Sequence, residues 1–259
     1  MLFVHAAGFC KEVWQPVIED TAASGVGLAA MSLDLRGHGG SGTYEYPLDW
    51  WRLGGDVLSV LAGRTDVIGV GHSAGGAALA LAELLAPGTF RSLVLVEPII
   101  SPPPFKRFEA HPLALGTLKR TPVFASRDAA AVNFRGRGPF AGWDDRAFQG
   151  YLEGGLHPNP ILAPDAVRLA CHPEDEAEYY RSGGEHRAWN RLSELAVPVE
   201  IIAGENSDTH SARFVGNLAG RMQRATVTWV PEASHFVPMQ RPQVVAAAGA
   251  AAVSGEWAR

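Results

Sequence analysis

The chain has 259 residues, of which 47% are hydrophobic and 19% charged, with a net charge of -5. That length and apolar share suffice for one large core carrying an insertion. Charges of both signs are mixed throughout, without the basic stripe that a phosphate backbone or an anionic membrane requires, so neither nucleic acid nor a membrane is an expected partner.

Two cysteines, Cys10 and Cys171, supply neither a disulfide framework nor a cysteine metal cluster, and they point to a reducing, cytoplasmic setting. The start Met1-Leu2-Phe3-Val4-His5 lacks a charged leader, and no apolar run approaches the roughly 20 residues of a membrane span.

Short apolar runs of buried-strand character recur at Leu2–His5, Leu28–Leu33, Val67–Val70, Leu93–Glu97, Val199–Ala203 and Thr226–Val230. Helix-length stretches, Glu12–Ala23, Asp49–Leu61, Ala74–Ala86, Ser211–Arg221 and Pro242–Val253, separate or follow them. This alternation predicts an α/β fold: a parallel sheet of about six strands, flanked by helices and joined by right-handed crossovers. Between Glu97 and Val199 the chain is rich in aromatics and has helical patches with little strand character, opened by Pro102-Pro103-Pro104. Residues 101–190 are therefore expected to form a helical cap inserted into a core made of residues 1–100 and 191–259.

The run Asp66-Val67-Ile68-Gly69-Val70 leads into Gly71-His72-Ser73-Ala74-Gly75-Gly76 and then into the helix formers Ala77 to Leu85. That is G-x-S-x-G between a strand and a helix, the setting in which a serine sits in a strained turn with its hydroxyl presented for attack. Glycines two residues either side let the neighbouring backbone approach without a Cβ. A plain glycine-rich turn or a phosphate loop is the alternative, but the lysine or G-x-G-x-x-G spacing of a phosphate loop is missing.

An acyl-transfer site needs two backbone donors for the developing oxyanion. Ala74, the residue after Ser73, supplies one; the loop His5-Ala6-Ala7-Gly8-Phe9 supplies the other, assigned to Ala7 with Gly8 as the fallback.

The strand Val199–Ala203 ends in Gly204-Glu205-Asn206-Ser207-Asp208, and the last strand is followed by Ser234-His235-Phe236. Nucleophile, acid and base then follow in the order Ser73, Asp208, His235, with His235 as general base and Asp208 fixing its tautomer. Glu97 is the second candidate for the acid and Glu205 lies in the same loop as Asp208. Glu97 precedes Pro98, and its alternative role is to hydrogen-bond the start of the cap.

His72 is read as a packed histidine, His38 as part of a loop network with Asp34 and Arg36, and His210 as too close to Asp208 to share a triad with it. No histidine pair at helical spacing beside a carboxylate suggests a metal site.

With these segments in place, the sequence resembles the α/β-hydrolase superfamily, in its serine-nucleophile branch with a helical cap. The matching pieces are His5-Ala6-Ala7-Gly8-Phe9, Asp34-Leu35-Arg36-Gly37-His38-Gly39-Gly40-Ser41, Gly71 to Gly76, Val96-Glu97-Pro98, Gly204 to Asp208 and Ser234-His235-Phe236. Relative to that family the chain has His5-Ala6 in place of His-Gly and is expected to lack the first two strands.

The resemblance implies a small-molecule substrate, with no metal or organic cofactor. The leading reading is cleavage of a small or medium, largely apolar carboxylic ester or lactone through an acyl-Ser73 intermediate. The same resemblance admits carbon–carbon bond hydrolases, thioesterases, cofactor-free haloperoxidases and lyases, and a ligand receptor with slow turnover is a further alternative. A missing outer strand would leave the Leu28–Leu33 edge unpaired, which predicts either a homodimer along that strand or cover by the Gly39–Pro47 loop.

Overall fold

The computed structural model describes residues 1–27 and 29–255. The chain opens with β1 (Leu2–Val4), a 3-10 turn at Lys11–Trp14 and α1 (Gln15–Ala23), then β2 (Met31–Leu33), α2 (Trp50–Leu61), β3 (Val67–His72), α3 (Ala74–Leu85) and β4 (Phe90–Val96). Residues 101–190 contribute α4 (Pro112–Thr117), β5 (Val123–Phe124), α5 (Arg127–Phe134), α6 (Asp145–Gly154), β6 (Leu156–Pro158), β7 (Val167–Leu169) and α7 (Pro173–Ser182). The chain then closes with β8 (Val199–Gly204), α8 (Ala212–Ala219), β9 (Ala225–Val230), the short α9 (Val237–Gln240) and α10 (Pro242–Ser254).

Six strands form one parallel sheet in the order β2-β1-β3-β4-β8-β9, as the alternation of strand and helix predicts. Both faces of the sheet are covered, which is why its strands read as continuous apolar runs rather than as alternating ones. Leu2, Val4, Leu93, Leu95 and Ile201 face α2 and α3, while Phe3, Ile68, Val70, Val94, Val96 and Ile202 face α1 and α10. Gly54 of α2 lets that helix press onto α3: a Cβ there would stand 2.9 Å from the backbone of Leu81 and Ala82. Asp49 starts α2 by accepting the Trp51 N–H at 3.0 Å, a side-chain cap on an otherwise orphaned donor.

β4 pairs directly with β8, so the chain leaves the sheet after Val96 and rejoins it at the neighbouring position. Residues 101–190 are not purely helical. β5, β7 and β6 make a separate antiparallel three-stranded sheet, in strands of two or three residues that are too short to show a period-2 pattern in sequence.

The predicted Leu28–Leu33 strand spans only Met31–Leu33, and Leu28 lies outside the described residues. β2 is an edge strand, and the 39–47 loop is tied to α7. There the Tyr44 and Tyr46 hydroxyls donate to the Asp175 carbonyl and carboxylate at 3.0 and 2.6 Å. No helix among the described residues is long and apolar enough to cross a membrane.

Candidate active site

The carboxyl ends of β3, β4 and β8 and the loop after β9 converge on one point, as expected of ligand chemistry in open parallel sheets. β3 runs into Ser73, whose backbone lies at φ 54° and ψ -113°, a strained conformation for a residue with a Cβ. The strain is held from both sides. The Ser73 N–H donates to the Val96 carbonyl at 2.9 Å, and the Ser73 carbonyl accepts the Ile99 and Ala77 N–H groups, both at 3.1 Å.

The flanking glycines answer to crowding. A Cβ at Gly71 would stand 2.7 Å from the Gly75 and Gly76 backbone, and one at Gly75 would stand 2.1 Å from the Val4 carbonyl oxygen. The glycine at 75 therefore lets the end of β1 lie against the first turn of α3.

Ala7 and Ala74, the two expected oxyanion donors, are both buried. Ala74 is the first residue of α3, so its N–H has no intrahelical partner. Gly8, the fallback, is already engaged, because its N–H donates to His38 Nε2 at 2.8 Å. His5 fixes the same loop: its Nε2 accepts the Leu35 N–H at 3.0 Å and its Nδ1 donates to the Ala6 carbonyl at 2.7 Å. Burial pushes the His5 and His38 imidazoles below their usual range, to about 4 for His38, which keeps them neutral and able to accept these N–H groups. Ala6 needs no positive φ, so alanine is accommodated where the related pattern has glycine.

The acid is where sequence and structure part. His235 Nδ1 lies 2.8 Å from Glu97 Oε2, and Glu97 has no exposed surface. Asp208, the first candidate from sequence, is exposed, and it is its neighbours Ser207 and Thr209 that reach Glu97 Oε2, at 2.6 and 3.2 Å. The assignment of Asp208 as the carboxylate beside His235 is thus corrected to Glu97, the second candidate.

The cause is local. Glu97 adopts φ 48° immediately after β4, which turns its side chain towards the end of β8, where Oε1 accepts the Gly204 N–H at 2.9 Å. Burial would raise its carboxyl, but hydrogen bonds from His210 and His235 outweigh that and hold it well below the usual range, hence ionised.

His235 is the less buried partner, with 13% of its side chain exposed. Because Nδ1 faces a carboxylate it carries the proton, which leaves Nε2 as the basic nitrogen. His72, adjacent to Ser73, lies beneath it with ring centroids 4.9 Å apart and donates from Nε2 to the His235 carbonyl at 2.9 Å. Burial drives the His72 imidazole well down, so it serves as a neutral prop for the His235 loop. The Ser73 hydroxyl makes no hydrogen bond among the described residues, a separation common in sites without substrate.

Sequence reasoning passed over His210. It is buried, with Nδ1 2.9 Å from Glu97 Oε2 and Nε2 3.1 Å from the Pro98 carbonyl. Its sequence signal is its place in the loop that carries the acid candidates; proximity to Asp208 is no bar, because the carboxylate it meets is Glu97. Glu97, His210 and His235 also form a potential ligand trio. Their contacts at 2.8 and 2.9 Å are hydrogen-bond separations, shorter than the about 3.3 Å between two ligands of a tetrahedral ion.

Aromatic side chains from residues 101–190 pack beside the loop after β1 and the His235 loop. Phe9, in the loop after β1, packs against Trp143 at 5.1 Å and against Phe236, beside His235, at 5.9 Å. Phe140 and Tyr151 complete this aromatic nest. Glu176 of α7 lies over Gly8, paired with Arg120 and accepting the Tyr180 hydroxyl at 3.1 Å.

Residues 1–248 match the sequence model described as "Alpha/beta hydrolase family". The chain belongs to that family. No curated protein sequence matches it. Among solved structures, this α/β hydrolase is similar to the peroxisomal alpha-beta-hydrolase of Saccharomyces cerevisiae, at a TM-score of 0.82 and 18% identity, over 99% of this chain and 76% of that one. An E-2-(acetamidomethylene)succinate hydrolase superposes with a TM-score of 0.81 at 22% identity, over 98% of this chain and 91% of the other. An esterase of Mycobacterium tuberculosis gives 0.70 at 19% identity, over 98% and 83%. At such identities the likeness establishes the shared fold. Membership of the family makes the chain an enzyme of the hydrolase type.

Proposed function

We propose that this α/β hydrolase cleaves small or medium, largely apolar carboxylic esters or lactones through an acyl-Ser73 intermediate. The observation that carries the reading is the buried Glu97–His235 hydrogen bond of 2.8 Å beside a strained serine elbow. Glu97 keeps the His235 proton on Nδ1. Nε2 takes the Ser73 proton as the hydroxyl oxygen attacks the carbonyl carbon, and returns it to the leaving alcohol. The free N–H groups of Ala74 and Ala7 hold the oxyanion. Water, activated by the same imidazole, then releases the acid.

Residues 101–190 act as the cap over this site, and the Phe9, Phe140, Trp143, Tyr151 and Phe236 nest supports an apolar acyl or alcohol group. Two buried, unpaired cysteines are consistent with a cytoplasmic place of action.

Fluorophosphonate labelling with a chain-length panel of p-nitrophenyl esters tests the reading. Labelling and turnover should both vanish in Ser73→Ala while the circular dichroism spectrum stays unchanged. Ester hydrolysis surviving in that variant would sink the acyl-serine mechanism.

A further inference from the structure

The base stands in a segment without regular structure: β9 ends at Val230, α9 begins at Val237, and His235 lies between them. A catalytic group on a loop is placed only as well as the contacts of that loop place it. Glu97 holds the His235 ring and His72 its carbonyl. The backbone on either side is held by one further side chain, that of Gln240, the half-buried last residue of α9.

Gln240 Oε1 accepts two hydrogen bonds from Ser234, the residue before the base: its N–H at 2.9 Å and its hydroxyl at 3.2 Å. Phe236, the residue after the base, donates its N–H to the Ser234 hydroxyl at 3.4 Å, and its carbonyl accepts the Gln240 N–H at 3.0 Å. His235 is thus bracketed by a ring of contacts that closes through one amide. On its other edge the same amide donates from Nε2 to the Ala141 carbonyl at 2.8 Å. Its orientation follows from its partners, because a backbone N–H can only donate and a carbonyl can only accept. An acceptor on one edge and a donor on the other is a combination that neither a carboxylate nor an apolar side chain offers.

Ala141 belongs to a segment that is itself anchored. The Asp144 N–H donates to the Met239 carbonyl at 2.7 Å, and the Asp144 side chain caps α6 by accepting the Arg146 N–H at 2.8 Å. α6 lies so close on the 3-10 turn at Lys11–Trp14 that a Cβ at Gly150 would run into the Glu12 carbonyl. Between the two tethers stands Trp143, whose ring packs on Phe9 and Phe236 at 5.1 and 6.4 Å. Met239 and Gln240 therefore join the loop of the base to the aromatic nest.

We propose that Gln240 is a positioning residue of the active site: its amide oxygen sets the Ser234–Phe236 turn that carries the base, and its NH2 group seats the Trp143 segment of the nest. Base and substrate-binding ring are then held in one register by a single group. The proposal rests on the acyl-serine reading of Ser73 and His235 and on the nest as the place of the apolar group. Gln240 acts on the reaction through Ser234 on one side and Ala141 on the other.

Two variants separate the edges. Gln240→Met fills a similar volume and removes both, and kcat should fall by about ten- to a hundredfold, the scale of a slightly misplaced base. Gln240→Glu keeps the acceptor for Ser234 and sets an oxygen against the Ala141 carbonyl. It should recover kcat to within about threefold of wild type, while KM rises by about tenfold, as expected for a contact with its donor lost. Both are read with one p-nitrophenyl ester on the alkaline plateau of each protein and normalised to the folded fraction. A kcat in Gln240→Glu no higher than in Gln240→Met, or a KM in Gln240→Glu equal to that of wild type, would overturn the proposal.

A readout without turnover stands beside them. Hydrogen exchange at the Ser234 amide should quicken by about tenfold or more in Gln240→Met and stay slow in Gln240→Glu, and equal protection in all three proteins would also overturn it. If the wild type itself fails to react with fluorophosphonate, it is the acyl-serine reading that fails, and the exchange result decides on the tether by itself.

Discussion

Replacing Glu97 by glutamine keeps the shape of the side chain and removes its charge, at a position where Oε1 accepts from Gly204 and Oε2 faces His235, His210 and Ser207. If the amide oxygen stays on Gly204, the NH2 group points at His235 Nδ1 and drives the ring to the tautomer whose Nε2 carries the proton, which is no base. If the amide flips, it sets a donor against the Gly204 N–H and leaves a buried group unsatisfied, at about 1–3 kcal/mol.

Either way kcat should fall by about 10³–10⁴, equivalent to about 4–5 kcal/mol of lost transition-state stabilisation. The fold should also lose about 1–3 kcal/mol, since the buried donors around Oε2 lose their charged acceptor. Asp208→Asn alters an exposed side chain and should change kcat by less than about twofold. The assay is steady-state hydrolysis of one p-nitrophenyl ester by all three proteins, normalised to the folded fraction from urea melts. A drop of about a thousandfold in Asp208→Asn, with Glu97→Gln within about tenfold of wild type, would refute the assignment of the acid.

Stability should fall as the solution is acidified from about pH 6.5 towards 4. Burial lowers both His38 and His186 from 6.5 to about 4, so in that window the unfolded chain binds protons that the folded one refuses. Each histidine then costs about 2 kcal/mol at pH 5 relative to pH 7, and urea midpoints that are flat over this range would contradict it. Gly75→Ala should abolish activity and cost about 3 kcal/mol or more, because its Cβ would stand 2.1 Å from the Val4 carbonyl oxygen. Gly55→Ala, in open space on α2, should instead raise the melting temperature through about 0.5–1 kcal/mol of helix propensity.

The elbow was legible because its constraints are local. The strand, the glycine spacing and the helix formers all fall within twenty residues, and each glycine answers to a contact made by neighbouring backbone or by the end of β1. Helix ends were legible for the same reason, with Asp49 and Ser211 capping α2 and α8 where the patterns begin. The strands of the 101–190 segment were not, because β5, β6 and β7 depend on one another for pairing and are individually too short to carry a period.

The choice of acid required information of a different kind. Glu97, Glu205 and Asp208 all follow strands at the carboxyl edge of the sheet, so topology alone admits each of them. What separates them is a backbone angle of φ 48° at Glu97, which aims its carboxylate under the β8 turn, and the path of that turn, which brings the Ser207, Thr209 and His210 side chains to Glu97 and leaves Asp208 exposed. The donors follow from the same path: an acid lodged where no water reaches needs donors on every side, and the turn provides two hydroxyls, a backbone N–H and a second imidazole. The polar residues of Ser207-Asp208-Thr209-His210 therefore make sense as a cradle for Glu97, to which Ser207, Thr209 and His210 each bring a side-chain hydrogen bond and Asp208 brings none.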